Sequence, residues 1–115
     1  MIIGTRTLTV RTPAGEKPVV ITMFQPVVNG PAWDCHYEIG WPEGVVRSRA
    51  MGNDMLHAID MAQNKIATDL YMSRYHHDRA MWWIKPWVGY GFPISKGARD
   101  LLIGDDQEYY GLDIK

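Results

Sequence analysis

Residues 33–51, with the sequence WDCHYEIGWPEGVVRSRAM, carry the clearest strand pattern in the chain. From Trp33 to Trp41, apolar and aromatic residues alternate with polar residues and glycine, which is typical of a strand with one wet face. Pro42-Glu43-Gly44 predicts a turn, and Val45 to Met51 predicts the returning strand of a hairpin.

The apolar pattern also predicts how the two strands of this hairpin pair. One register keeps the small and apolar residues on a single face. That register pairs Ile39 with Val46, Tyr37 with Ser48 and Cys35 with Ala50, and it places Glu38 opposite Arg47 and His36 opposite Arg49. A bulge at Gly44 would shift the register by one residue and spoil this pattern.

Two further strands are predicted before the hairpin, from Thr5 to Thr12 and from Val19 to Val28, with a turn at residues 13–16. After the hairpin, the apolar period changes from about 2 to about 3.6 residues. This change predicts a helix from Asp54 to Ser73, with Asn53 or Asp54 as its capping residue. Ser95 is a possible cap for a short helix near the end of the chain.

These elements together predict an α+β domain. We expect a four-stranded antiparallel meander, one long helix packed on its apolar face, a Trp-rich C-terminal segment and a short terminal helix. Residues 1–104 are expected to form this single domain, and the acidic residues 105–115 a loosely ordered tail.

Composition excludes several classes of protein. The chain has 115 residues and a net charge of −1, so a dedicated nucleic-acid binder, which would carry a basic excess, is not expected. Its single cysteine, Cys35, allows no internal disulfide. The N-terminal residues do not resemble a signal peptide, and no apolar run approaches the length of about 20 residues that spans a bilayer. We therefore expect a cytoplasmic protein without membrane contact.

The motif W-x-C at Trp33 and Cys35 is followed by G-x-D-x-L-x-A from Gly52 to Ala58. This combination resembles a family of small bacterial domains of unknown function, in which a W-x-C strand precedes a G-x-D-x-L-Q-A-L helix start. The similarity covers roughly residues 33–70, with a weaker echo at residues 91–93. His57 stands where the family pattern has Gln. The resemblance implies a compact bacterial domain and implies no activity.

The residues that suggest chemistry each have a simpler structural explanation. Cys35 and His36 are neighbours on a strand, so their side chains should point to opposite faces. The run His76-His77-Asp78, like His36 and His57, could supply metal ligands, but adjacent histidines rarely converge on one ion. The acidic residues Asp105, Asp106 and Glu108 lie in the predicted tail. We therefore expect no catalytic residue, metal or cofactor, and no motif points to an enzyme.

An RNA-binding sheet is a further alternative, because Arg11, Arg47 and Arg49 lie on the predicted wet face. RNA-binding sheets stack bases on exposed aromatic residues. Here the strand aromatics Trp33, Tyr37 and Trp41 fall on the apolar face instead, so nucleic acid is not an expected partner.

The densest cluster of aromatic residues follows the long helix. Trp82, Trp83, Trp87, Tyr90 and Phe92 lie within eleven residues. Such residues are enriched at interface hot spots, and they are also bulky core fillers. The candidate partner-binding residues are Trp82, Trp83, Trp87, Tyr90, Met61 and Met72, the two methionines lying on the far side of the helix.

The resulting hypothesis is a small non-catalytic domain that binds a protein partner or itself, such as a bacterial immunity or inhibitor protein. The alternative is a small-molecule-binding or enzymatic domain with a pocket between the sheet and the Trp-rich segment.

Overall fold

The computed structural model describes residues 1–93 and Ile103. Its elements are β1 (Ile2–Thr12), β2 (Gly15–Phe24), β3 (Val27–Asn29), β4 (Ala32–Trp41), β5 (Gly44–Gly52), α1 (Met55–Tyr71), α2 (Arg74–His77) and β6 (Met81–Trp82). The short helix predicted after Ser95 and the acidic tail predicted from Asp105 lie, apart from Ile103, outside the described residues.

The strands form an antiparallel sheet beside one main helix, which confirms the α+β class. Strands follow the order β3-β4-β2-β1-β6, and β5 pairs with β4. The prediction of four strands is wrong, because the described residues form six. Within the sheet, the predicted meander corresponds to β1, β2, β4 and β5. The two additional strands are β3 and β6, and they have separate causes.

A β-bulge divides the second predicted strand into β2 and β3. Met23 pairs with Tyr37, and Val27 pairs with Asp34. Three residues therefore lie between these pairs on one strand and two on the other, which leaves one extra residue at Phe24–Pro26. Pro26 has no N–H to donate to the ladder, so the strand is interrupted there.

The other additional strand is β6, which follows the two helices. Met81 pairs with Val10 and Trp82 pairs with Thr9, so β6 extends the sheet beyond β1. The sequence allows a short strand over residues 81–84 that Pro86 would end, and the structure forms its first two residues as β6.

The β4–β5 hairpin has the predicted register throughout. Ile39 pairs with Val46, Tyr37 with Ser48, Cys35 with Ala50, Glu38 with Arg47 and His36 with Arg49. Trp41 pairs with Gly44, so the loop contains only Pro42 and Glu43 and no bulge shifts the ladder. Gly44 has a φ of +150°, a conformation that side chains rarely allow.

Helix α1 begins with a reciprocal capping arrangement. The Asp54 carboxylate accepts a hydrogen bond from the His57 N–H at 2.8 Å, and the His57 Nδ1 accepts one from the Asn53 N–H at 3.0 Å. The Asp54 carbonyl accepts from the Ala58 N–H, the first turn of the helix. Asp54 is therefore the N-cap, one of the two residues predicted for this role.

The chain divides into two compact units. Unit 1 contains Met1–Thr7 and Pro18–Ala62, and unit 2 contains Leu8–Lys17 and Gln63–Lys115. The buried apolar side chains of unit 1 are Val19, Ile21, Met23, Cys35, Tyr37, Ile39, Ala50, Ala58 and Ala62. Those of unit 2 are Leu8, Val10, Ile66, Ala67, Leu70, Tyr71, Tyr75, Met81, Tyr90 and Phe92. Among the described residues, neither helix has the length and apolar character that spanning a membrane demands.

Candidate functional site

The six residues predicted to bind a partner belong to both units and differ in exposure. Met61 belongs to unit 1, whereas the other five belong to unit 2. Met61, Met72 and Trp87 are exposed, Trp82 and Trp83 are half-buried, and Tyr90 is buried. The aromatic side chain most available to a partner is therefore Trp87, which is 42% exposed.

The imidazole of His76 organises the surroundings of Trp87. Ser73 caps α2 by accepting the His76 N–H at its hydroxyl oxygen, which holds His76 in a defined turn. The His76 Nδ1 lies 2.6 Å from the hydroxyl of buried Tyr90, and the imidazole lies edge-on to Tyr71. His76 is thereby fixed by contacts on several sides rather than solvated at a helix end.

Burial lowers the pKa of His76 below its ordinary value, and the neighbouring His77 lowers it further through charge repulsion. Both causes disfavour the imidazolium, because a buried cation loses hydration and a second cation nearby repels it. Neutral His76 is thus the form that stacks against Trp87 at neutral pH.

The indole of Trp87 contacts two groups at once. It stacks on the His76 imidazole with ring centroids 5.3 Å apart and planes only 8° from parallel. The Arg79 guanidinium carbon lies 4.6 Å from the indole centroid, within the range of a cation–π interaction. Trp87, His76 and Arg79 together are called the Trp87 surface below.

Backbone conformation in this part of unit 2 is unusual. Arg79, Ile84 and Trp87 have φ values of +54°, +57° and +62°, in the left-handed region that favours glycine. Ile84 is β-branched, so the conformation is costly there, and its side chain is 78% exposed. An antiparallel bridge between Trp83 and Lys85 holds Ile84 at the tip of a tight turn. Strain of this kind persists where surrounding contacts impose it, and it clusters at functional sites.

Three residues of this region were missed as partner-binding candidates from the sequence. His76 was considered only as a metal ligand or a solvated helix end, and Arg79 and Ile84 were not considered. The density of aromatic residues marked the segment. The positive φ values at Arg79 and Ile84 depend on tertiary contacts, and no residue type in the segment signals them.

The polar face of the β4–β5 hairpin in unit 1 forms a second feature. An open groove of about 620 Å³ lies there, lined in part by Phe24, His36, Glu38, Arg47 and Arg49. Both arginines are already paired with carboxylates. Arg47 contacts Glu38 at 2.6 Å, and Arg49 contacts Asp34 at 2.9 Å.

Asp34 departs from its expected position on the wet face. It is only 2% exposed, because Arg49 and Asn29 both donate hydrogen bonds to its Oδ2. Its Oδ1 is buried and has no hydrogen-bond partner among the described residues. The alternation of the strand places Asp34 among the polar residues, and the contacts with Asn29 and Arg49 that accompany its burial are seen only in the structure.

Cys35 is buried and His36 is exposed, as the alternation of the strand predicts. The thiol of Cys35 donates a hydrogen bond to the Phe24 carbonyl at 3.4 Å. Burial raises the pKa of the Cys35 thiol, which keeps it protonated and poorly nucleophilic. Within residues 1–93, no three His, Cys, Asp or Glu side chains are grouped so that they could hold a metal ion.

The fold and this surface define a small α+β domain that presents a Trp flanked by His and Arg. The chain belongs to the family DUF6968, described as a domain of unknown function, which matches residues 4–94. This match agrees with the resemblance found in the sequence, at the level of a domain of unknown function. No curated protein and no solved structure matches the chain.

Proposed function

We propose that this is a non-catalytic protein-binding domain, of the immunity or inhibitor type, that contacts a partner protein through the Trp87 surface. The observation that carries the proposal is Trp87 itself. Its indole is substantially exposed, yet it is held in place by His76 and Arg79.

An exposed Trp with fixed neighbours suits binding energetically. Tryptophan is strongly enriched among the few residues that dominate interface affinity. Ordering a free side chain on binding costs roughly 0.5–1.5 kcal/mol, and a Trp already held by its neighbours avoids much of this cost.

The backbone conformation supports the same surface. Ile84 and Trp87 both adopt positive φ values, and both expose apolar side chains. A positive φ is costly for these residues, and most so for β-branched Ile84, whereas glycine adopts it readily. Met72, also exposed in unit 2, is a further apolar side chain that the partner could contact.

The source and location of the protein form part of this proposal. A single buried thiol with no disulfide suits a reducing compartment, so we place the domain in the bacterial cytoplasm. The partner is a protein or a second copy of the chain, and no cofactor or nucleic acid is needed.

The experiment uses the substitution Trp87→Ala. Purified wild-type protein is analysed by size-exclusion chromatography with light scattering and as bait in a bacterial lysate. We expect either a dimer or a stoichiometric protein partner. Trp87→Ala should lose that association while keeping the circular dichroism spectrum of the wild type.

Leu56→Ala is the matched control, since Leu56 is 78% exposed but lies in unit 1. This variant should keep the association. Retention of the partner by folded Trp87→Ala would contradict the proposed surface, and an unfolded Trp87→Ala would instead indicate a core role for the indole.

A second candidate function is small-molecule binding, with or without catalysis. The groove of unit 1 favours it, because about 620 Å³ lies within the usual size of ligand sites. Ligand-observed NMR with a library of small polar compounds tests this candidate. Hits that disappear in the Phe24→Ala variant would support it.

A further inference from the structure

Two cationic side chains, Arg79 and Lys85, lie in the segment that contains Trp87. Residues 78–87 hold a single carboxylate, that of Asp78. Arg79 and Lys85 are both exposed, and within residues 1–93 neither forms an ion pair with a carboxylate.

The arginines of unit 1 provide the contrast. Arg47 and Arg49 are each satisfied by a carboxylate on the neighbouring strand. Since those charges are neutralised within the unit, they offer little attraction to an acidic partner. The uncompensated charge is at Arg79 and Lys85, in the same segment as the exposed indole.

Arg79 is arranged so that it can still accept a ligand. A guanidinium that stacks on an aromatic ring uses its flat face and retains its in-plane N–H donors. These donors form a fork that matches a carboxylate in a bidentate geometry. The partly exposed indole of Trp87 lies next to Arg79, whose guanidinium carbon is 4.6 Å from the indole centroid.

We infer that the partner presents an acidic segment, with a carboxylate bound by Arg79 and an apolar side chain against Trp87. This inference rests on the proposed protein-binding function and specifies the chemistry of the partner. Lys85 adds attraction for a second carboxylate, and exposed Ile84 adds apolar contact area.

The same surface is less suited to nucleic acid. The π system of Trp87 is already engaged by His76 and Arg79, so a base could stack on it only by displacing one of them. The whole chain also has a net charge of −1, without the basic excess typical of proteins that bind phosphate backbones.

The test compares three probes by the NMR signal of the Trp87 indole N–H, which the Trp87→Phe variant assigns. The first probe is a short peptide that alternates Glu with Leu and Phe. The second peptide has Gln in place of each Glu, and the third probe is an oligothymidylate of equal charge. We expect the Glu peptide to shift the Trp87 signal and to bind more tightly than the other two.

The variant Arg79→Gln tests how much the charge of Arg79 contributes to binding, apart from the rest of the Trp87 surface. We expect this substitution to lower the affinity for the Glu peptide by about tenfold to a hundredfold, the loss typical of a missing hydrogen bond to a charged group. Arg47→Gln, the matched control at a neutralised arginine, should change the affinity by no more than about twofold. Raising the salt concentration should weaken binding of the Glu peptide more in the wild type than in Arg79→Gln, in which only the attraction of Lys85 remains.

The outcomes distinguish this inference from the function on which it rests. If both peptides bind equally and Arg79→Gln has no effect, the acidic partner is excluded, while loss of binding in Trp87→Ala would still support protein binding. If the oligothymidylate binds more tightly than the Glu peptide, the surface serves nucleic acid. If no probe shifts the Trp87 signal, the inferred recognition of acidic segments is wrong.

Discussion

Single residues show how the motif G-x-D-x-L-x-A acts in this chain. Asp54 caps α1, His57 returns a hydrogen bond to the preceding backbone, and Gly52 allows the chain to pass close to the helix start. A Cβ at Gly52 would lie 2.3 Å from the Ala58 nitrogen, and this neighbour is backbone that cannot rotate away. The glycine is therefore needed for space.

The substitution Gly52→Ala should lower the free energy of unfolding by about 1–3 kcal/mol, the usual range for overpacking. Urea unfolding followed by circular dichroism measures the change. Gly4→Ala is the control, since a Cβ there would meet nothing within 4 Å and its φ is not positive. Equal stability of the two variants would show that α1 can shift to make room.

His57 has a second role in the same motif. Its Nδ1 accepts the Asn53 N–H, an acceptor role that the side-chain oxygen of Gln can fill as well. Only the structure shows this hydrogen bond, because it depends on the orientation of the imidazole at the helix start.

At the scale of elements, the β4–β5 hairpin contains two ion pairs of different character. The side chain of Arg47 is 75% exposed, so its pair with Glu38 is screened by water. Asp34 is buried, and it already has one oxygen without a partner. Loss of Arg49 would leave this buried carboxylate with only the Asn29 amide as a partner at Oδ2.

Arg49→Gln should therefore lower the free energy of unfolding by about 1–3 kcal/mol, and Arg47→Gln by at most about 1 kcal/mol. Chemical denaturation of both variants tests the difference. Adding Asp34→Asn to Arg49→Gln should recover part of the loss, because it removes the buried charge. If both arginine variants lowered the free energy of unfolding by similar amounts, the burial of Asp34 would have no energetic consequence.

The same hairpin shows which elements the sequence could predict. Its register followed from strict alternation and a two-residue loop, both of which are local. The interruption at Phe24–Pro26 was missed, although Gln25 and Pro26 break the apolar run there. A short strand over residues 81–84 was considered from the sequence, and the pairing with β1 shows that Met81 and Trp82 form it.

For the whole molecule, the response of stability to acid depends on His76. Its pKa is lowered in the folded state, chiefly by burial and then by His77. The unfolded chain, with an ordinary His pKa of about 6.5, therefore takes up a proton at higher pH than the folded chain. The contribution of His76 is fully present above that value and is lost as the pH falls through the lowered folded pKa.

We expect the free energy of unfolding to decrease as the pH is lowered below about 6.5, and His76→Phe to make this decrease shallower. Urea unfolding at a series of pH values measures the slope. His77→Gln should have a smaller effect in the same direction, because it removes only the second cause. An unchanged slope in His76→Phe would mean that other groups control the acid response.

The class of fold, the hairpin register and the position of α1 were determined by the sequence alone, because each depends on periodicity and capping within a short span. Tertiary structure alone decided the burial of Asp34 and the Trp87 surface. Asp34 is bonded by Arg49, 15 residues away, and His76 lies against Tyr90, 14 residues away. Such contacts depend on how the folded chain brings side chains together, and the periodicity of a short segment does not predict them.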